Sequence, residues 1–265
     1  MYDDLSTIRT QRRDGVLWAS LNRPERLNAF DARLHADVTR FLERVASDED
    51  AVVVVLQGAG QAFSAGGDLR WFQNMTQPEL DALFREARRI VHALLAIEQP
   101  IVASTRGPVV GLGATIALMC DFVVAADDSV FADPHVQIGV VAGDGGAAIW
   151  PLLCGLGRAK RYLMLGDQMD ANEAERIGLV DWVVPADDVQ ARTEQLAMRL
   201  RNGPLQAIRG TKKALNKHLE RAVADTLDLS LAVEKACFHS ADHAEAVNAF
   251  LEKRTPAYRA TTARS

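Results

Sequence analysis

Three glycine-bearing turns hold the most chemical promise in this sequence: Ser64-Ala65-Gly66-Gly67-Asp68, Gly111-Leu112-Gly113 and Gly143-Asp144-Gly145-Gly146. Each follows a strand-like or loop stretch and precedes a helical one. Glycine takes backbone dihedrals closed to other residues and lets a ligand come close to the main chain. The first N–H groups of a helix have no intrahelical acceptor, and they carry the positive end of its dipole. Two such turns facing one another would supply paired donors to a developing oxyanion. Taken singly, each also reads as a tight connection in a compact α/β domain.

Other readings of these motifs are weaker. Gly111-Leu112-Gly113-Ala114-Thr115-Ile116 lacks the last glycine of a dinucleotide fingerprint, so an oxidoreductase reading rests on glycine alone. There is no Walker phosphate loop and no Gly-x-Ser-x-Gly nucleophile elbow. His239-Ser240-Ala241-Asp242-His243 has a superficial metal-helix look, but Asp242 followed by Glu245 reads better as a capping-type helix start. No metal is expected. Cys120, Cys154 and Cys237 are few, odd in number and widely spaced, which suggests neither a disulfide framework nor a zinc site.

The elements that must position these turns are those of an α/β chain. Gly15 to Leu21 and Ala51 to Leu56 are rich in β-branched residues and read as buried strands. Between them Leu34, Val38, Phe41, Leu42 and Val45 recur at helical spacing, with Asp31 as N-cap. A longer amphipathic helix carries Leu80, Leu83, Phe84, Ala87, Ile90, Val91, Leu94 and Leu95, with Pro78 in its first turn. Ile101 to Ser104, Val109–Val110, Phe122 to Ala126 and Val180 to Val184 are further short strands. From Pro204 onward only helical patterns remain. The expected division is a core over 1–200 that carries the site, and a helical region over 201–265 for oligomerisation and a lid.

Composition sets the outer bounds. The chain has 265 residues, about half of them hydrophobic, and a net charge of −5, which argues against nucleic acid as a partner. Its apolar stretches fall short of a membrane span. The start Met1-Tyr2-Asp3-Asp4 has no basic-then-apolar pattern, so a cytoplasmic protein is expected.

Longer segments resemble a known family. Leu21-Asn22-Arg23-Pro24-Glu25-Arg26-Leu27-Asn28-Ala29 and Ala62-Phe63-Ser64-Ala65-Gly66-Gly67-Asp68-Leu69 are similar to the first two signatures of the crotonase (enoyl-CoA hydratase/isomerase) family. Gly107-Pro108-Val109-Val110-Gly111-Leu112-Gly113, leading to Ala117-Leu118-Met119-Cys120-Asp121, resembles the third. Phe250-Leu251-Glu252-Lys253-Arg254-Thr255-Pro256 resembles the family's ending. The resemblance implies a spiral of repeated ββα units with C-terminal helices that build a homotrimer or a dimer of trimers. It implies an acyl-CoA thioester as ligand, with coenzyme A as part of the substrate and no separate cofactor. It places the oxyanion donors on the N–H groups of Gly67 and Leu112. It lays Arg26, Leu27 and Ala29 along the adenosine-phosphate part, with backbone near Ala65, Asp68 and Leu69 toward the adenine. Arg26 and Lys253 are the cations available to phosphate, and Asp68 reads equally as a helix cap.

The sequence departs from the hydratases of that family, which hold water between two glutamates. Thr115 and His135 stand where those glutamates are expected. Two titratable groups remain near the expected acyl pocket. Asp144 falls close to where several relatives carry an acid/base aspartate, and burial would raise its pKa toward a useful range. It also reads as a turn residue bonding its own backbone. His135 titrates near neutrality unaided. Trp71, Phe72, Met75, Phe84 and Trp150 are candidates to line the pocket. This inventory favours isomerase-like proton transfer, with Asp144 leading and His135 in support, over two-glutamate hydration. The alternatives are thioester hydrolysis, decarboxylation, or coenzyme A binding with little chemistry.

Overall fold

The computed structural model describes residues 1–258. Chain order begins with β1 (Ile8–Arg13), β2 (Val16–Leu21), α1 (Ala32–Val45) and β3 (Val53–Gly58). The middle runs through α2 (Leu69–Gln73), α3 (Gln77–Ala96), β4 (Ile101–Thr105), β5 (Pro108–Val110), α4 (Leu112–Leu118), β6 (Phe122–Ala126) and β7 (Val130–Ala132). It continues with α5 (Gly146–Cys154), α6 (Leu156–Leu165), β8 (Met169–Asp170), α7 (Ala171–Ile177) and β9 (Trp182–Val184). The chain closes with α8 (Val189–Arg201), α9 (Leu205–Cys237) and α10 (Ala241–Leu251). Mixed α/β structure gives way to helices alone after β9, as the sequence pattern predicts. No helix among the described residues is long and apolar enough to cross a membrane.

Six strands form one sheet in the order β1-β2-β3-β4-β6-β9, parallel except for the β1–β2 hairpin. Burial on both faces of β2, β3, β4 and β6 explains their continuous Val/Ile/Leu/Ala runs. One face packs on α1 and α3, the other on α8 through Val16, Val53, Val102, Val124 and Leu196. A second sheet, β5-β7-β8, pairs β5 with β7 in parallel, Val110 opposite Ala132.

Local chemistry sets the helix starts. Asp31 caps α1 by accepting from Leu34 N at 2.9 Å, and Thr76 and Glu79 close a capping box on α3. The cap of α10 differs from expectation. Ser240, in extended backbone, accepts from His243 N at 3.1 Å, Asp242 lies in the first turn, and Glu245 is drawn away to Arg254. A cap needs non-helical dihedrals and a short oxygen three residues before the amide, and only Ser240 has both.

Candidate active site

Neighbouring segments deliver the two glycine turns to one place. Residues 27–30 pair with 65–68: Ala65 N donates to Leu27 O, Phe30 N to Gly66 O and Asp68 N to Phe30 O, at 2.7–2.9 Å. In this parallel bridge the residues flanking Gly67 face Phe30, so the N–H of Gly67 itself points to the opposite side. A second bridge joins Ser64 to Val109 at the start of the other turn. Gly111 N donates to Ala132 O at 3.0 Å, leaving the N–H of Leu112 as the first of α4. Among the described residues neither amide has a protein acceptor. Backbone conformation favours glycine at 111: its φ of +55° with ψ of −127° is closed to L side chains.

The parallel strands β5 and β7 end side by side, so Leu112 after β5 and His135 after β7 emerge at the same edge. This is where ligands of parallel sheets bind. Nδ1 of His135 meets Asp133, and Nε2 lies 3.5 Å from Asp144 Oδ2 and 3.9 Å from Glu234 Oε1. Thr115, one turn into α4, donates from Oγ1 to Asp144 Oδ1 at 3.0 Å. Asp133, Asp144 and Glu234 are all buried. Glu234 arrives from α9, where Ser230 also donates to Gly143 O at 2.9 Å. That approach is so close that a Cβ on Gly143 would fall 2.8 Å from the Glu234 Cβ.

These groups divide the charge between them. Burial alone would lower the pKa of His135, but the carboxylates of Asp133 and Asp144 outweigh it and hold the ring well above its ordinary value. Burial pushes Asp144 upward, yet the His135 cation and the hydrogen bonds from His135 and Thr115 prevail, and its carboxyl is held below the ordinary value. For Glu234 burial raises the pKa, and Asp144 and Asp133 add to it against the pull of His135, so the carboxyl stays neutral well above its usual range. The site therefore holds an imidazolium, the Asp144 carboxylate and a carboxylic acid. The expectation that burial raises Asp144 is reversed, because the His135 cation lies 3.5 Å away and Thr115 donates to the same carboxylate; His135 is held above neutrality for the reciprocal reason. Ligand-type atoms of Asp133, His135 and Asp144 lie within 4.8 Å of one another. With both ring nitrogens directed at carboxylates, the geometry suits an imidazolium that donates twice, whereas a metal-bound imidazole keeps one nitrogen unprotonated for the ion.

A cavity of about 1000 Å³ joins these parts. Its wall includes Gly67, Leu112, His135 and Asp144, and also Arg26, Ala29, Ala65, Asp68 and Leu69. Leu27 and Lys253 are not part of it. Leu27 turns outward from a left-handed backbone while its carbonyl holds Ala65, and Lys253 is exposed in another left-handed position. Arg254 reaches the cavity instead, tied to Glu245 and Glu252. Asp68 is committed: it caps α2 through Arg70 N and lies 3.8 Å from Arg23. Of the candidate pocket residues, Trp71, Phe72 and Phe84 line the cavity, joined by Phe238. Trp150 is wholly buried in the core, and Met75 packs against the core away from the cavity. Sequence reasoning missed Asp133 and Glu234. Asp133 lies two residues before His135 but reads as a turn residue before Pro134, and nothing near Glu234 in the sequence signals burial.

A family model described as enoyl-CoA hydratase/isomerase matches residues 11–261. A probable enoyl-CoA hydratase of Mycobacterium bovis is 33% identical over 256 residues, covering 95% of this chain and 97% of that protein. The 1,2-epoxyphenylacetyl-CoA isomerase of Escherichia coli is 34% identical over 250 residues, covering 92% and 95%. Among solved structures, an enoyl-CoA hydratase/isomerase from Mycobacterium paratuberculosis superposes with a TM-score of 0.88 at 37% identity, covering 92% of this chain and 98% of that one.

Proposed function

The chain belongs to the enoyl-CoA hydratase/isomerase family, and we propose that it moves a proton on an acyl-CoA thioester through an enolate held between the amides of Gly67 and Leu112. The observation that carries this reading is the placement of two unpartnered amides beside an ionised Asp144 in one cavity. Asp144 accepts the α-proton of an enoyl thioester, and the electron pair moves onto the thioester oxygen. The N–H groups of Gly67 and Leu112 stabilise that oxygen. Return of the same proton to the γ-carbon shifts the double bond and restores the carboxylate. His135, already doubly protonated, is not the base; its fixed positive charge lowers the energy of the enolate and sets the depressed basicity of Asp144. Thr115 fixes one Asp144 oxygen and leaves the other beside His135. Arg26, in the cavity wall, offsets coenzyme A phosphate charge.

A second reading, water addition, is favoured by one observation. Asp144 and Glu234 flank His135 with their pKa values driven apart, the pattern of a base and an acid acting on one substrate. Incubation with 3-enoyl-, crotonyl-, malonyl- and aryl-CoA esters, with products identified by mass spectrometry, distinguishes the two. A 2-enoyl product of unchanged mass supports proton shuttling, and a gain of one water supports hydration. Free acid or loss of carbon dioxide would point to hydrolysis or decarboxylation, and binding without turnover to a coenzyme A-binding protein.

A further inference from the structure

One cavity wall carries a polar pair that the proton-transfer chemistry does not use. His35 lies on the buried face of α1, 2% exposed, and its ring is part of the cavity lining. Its Nδ1 is 2.7 Å from Oε2 of Glu86, which crosses from α3. The ring is set between Phe30 at 6.2 Å and Trp71 at 6.4 Å, centroid to centroid. The wall around it is Trp71, Phe72, Leu83, Phe84 and Ala87, apolar except for the unpartnered indole N–H of Trp71. An imidazole in such a wall is costly unless both nitrogens are satisfied. A carboxylate only accepts, so Glu86 holds a hydrogen on Nδ1, and the tautomer this selects carries its lone pair on Nε2. Among the described residues Nε2 has no protein partner, and the space beside the ring is the cavity.

We propose that the Glu86–His35 pair selects acyl thioesters whose acyl group carries a hydroxyl, accepting the hydroxyl hydrogen at His35 Nε2. The selection rests on the reading that this cavity binds acyl-CoA. A hydroxyl is the matching group because the fixed tautomer offers a lone pair, which rewards a donor and gives nothing to a methyl or a ketone at the same point. Phe30, edge-on, and Trp71, tilted, flank the ring, so a hydroxyl meets Nε2 only at a set depth along the acyl group.

The test is calorimetric binding of matched ester pairs to the full-length protein: hexanoyl-CoA against its 4-, 5- and 6-hydroxy forms, and phenylacetyl-CoA against its ring-hydroxylated isomers. The wild type is expected to bind the best-placed hydroxyl ester about tenfold more tightly than its parent, the value of one buried hydrogen bond. In His35→Leu that ratio collapses to about one. In Glu86→Gln it falls as well, because an amide can donate to Nδ1 and reverse the tautomer; this variant reads the same ratio should His35→Leu not fold. An unchanged ratio in the variants, or no pair preferring the hydroxyl in the wild type, overturns the proposal while the parent esters still bind. Failure of every ester to bind overturns the thioester reading itself.

Discussion

Nε2 of His135 faces Oδ2 of Asp144 at 3.5 Å inside the protein, and the two groups are displaced in opposite directions, the imidazole toward protonation and the carboxyl away from it. Each therefore holds the other in its charged form. The arrangement makes Asp144 the proton acceptor that is empty at neutral pH. Asp144→Asn keeps the hydrogen-bonding shape and loses the acceptor. Deuterium exchange at the substrate α-carbon is expected to slow by a factor of about 10² or more, with acyl-CoA affinity within about threefold. Unchanged exchange would remove Asp144 from this role.

The same pair gives a pH dependence with a definite sign. His135 has a raised folded pKa, so its contribution to stability is complete below the unfolded value of about 6.5 and is lost as pH rises through the folded value. Asp144 has a depressed one, so its contribution is present above the unfolded value of about 3.9 and is lost as pH falls through the folded value. The ring C–H resonances of His135 are expected to stay at imidazolium positions through pH 7. The stability lost in His135→Gln is expected to shrink at alkaline pH. A neutral-imidazole spectrum at pH 7 contradicts the ion pair.

Glu234 behaves in the opposite sense to Asp144. Its carboxyl is neutral in the fold and ionised in the unfolded chain above about pH 4.3, so stability falls as pH rises from there toward the folded value. Glutamine mimics the neutral acid at every pH. The Tm difference between Glu234→Gln and wild type is expected to move in favour of the variant between pH 4 and pH 7.5. A difference independent of pH would mean that Glu234 is ionised in the fold.

Arg26 has no carboxylate within ion-pair distance among the described residues, yet it borders the cavity. Arg26→Ala is expected to raise the KM for acyl-CoA by roughly three- to tenfold at low salt, with little change in kcat. The gap should narrow as ionic strength rises and the Debye length falls to about 8 Å at 0.15 M. Equal loss of kcat would place Arg26 closer to the reacting atoms.

The sequence patterns reveal what periodicity can encode. The stripes of α1 and α3 and the apolar runs of β2, β3, β4 and β6 stand where the residues predict, because both faces of those strands are covered. β1 is silent for the converse reason: it is an edge strand whose Gln11, Arg12 and Arg13 face solvent, so it carries no apolar alternation. β7 and β8 are too short, at three and two residues, to show a period. The oxyanion turns were legible because glycine at a strand end has few reasons to be there. Glu234 was not, since its burial is decided by α9 pressing on Gly143, ninety-one residues earlier in the chain. His35 shares a buried helical face with Val38 and Leu42, and that offset was the available signal for a polar group turned inward.

A direct test of the oxyanion hole replaces one donor hydrogen with a methylene that cannot donate. Leu112 is the first residue of α4, where no intrahelical bond uses its N–H and where proline is well accommodated. Gly111 before it tolerates the restriction that proline places on its predecessor. Leu112→Pro therefore deletes the donor while the helix start is kept, and Leu112→Ala serves as the control that keeps the N–H and loses the side chain. If the amide holds the enolate oxygen, the proline variant is expected to lose a factor of about 10² to 10³ in kcat, roughly 3–4 kcal/mol of barrier. The alanine variant should lose far less. Thermal unfolding and acyl-CoA binding report whether the fold and the cavity survive each change. A proline variant that folds, binds and turns over like the alanine variant would show that the N–H of Leu112 carries no charge from the transition state, because proline has no such hydrogen and sets a methylene in its place.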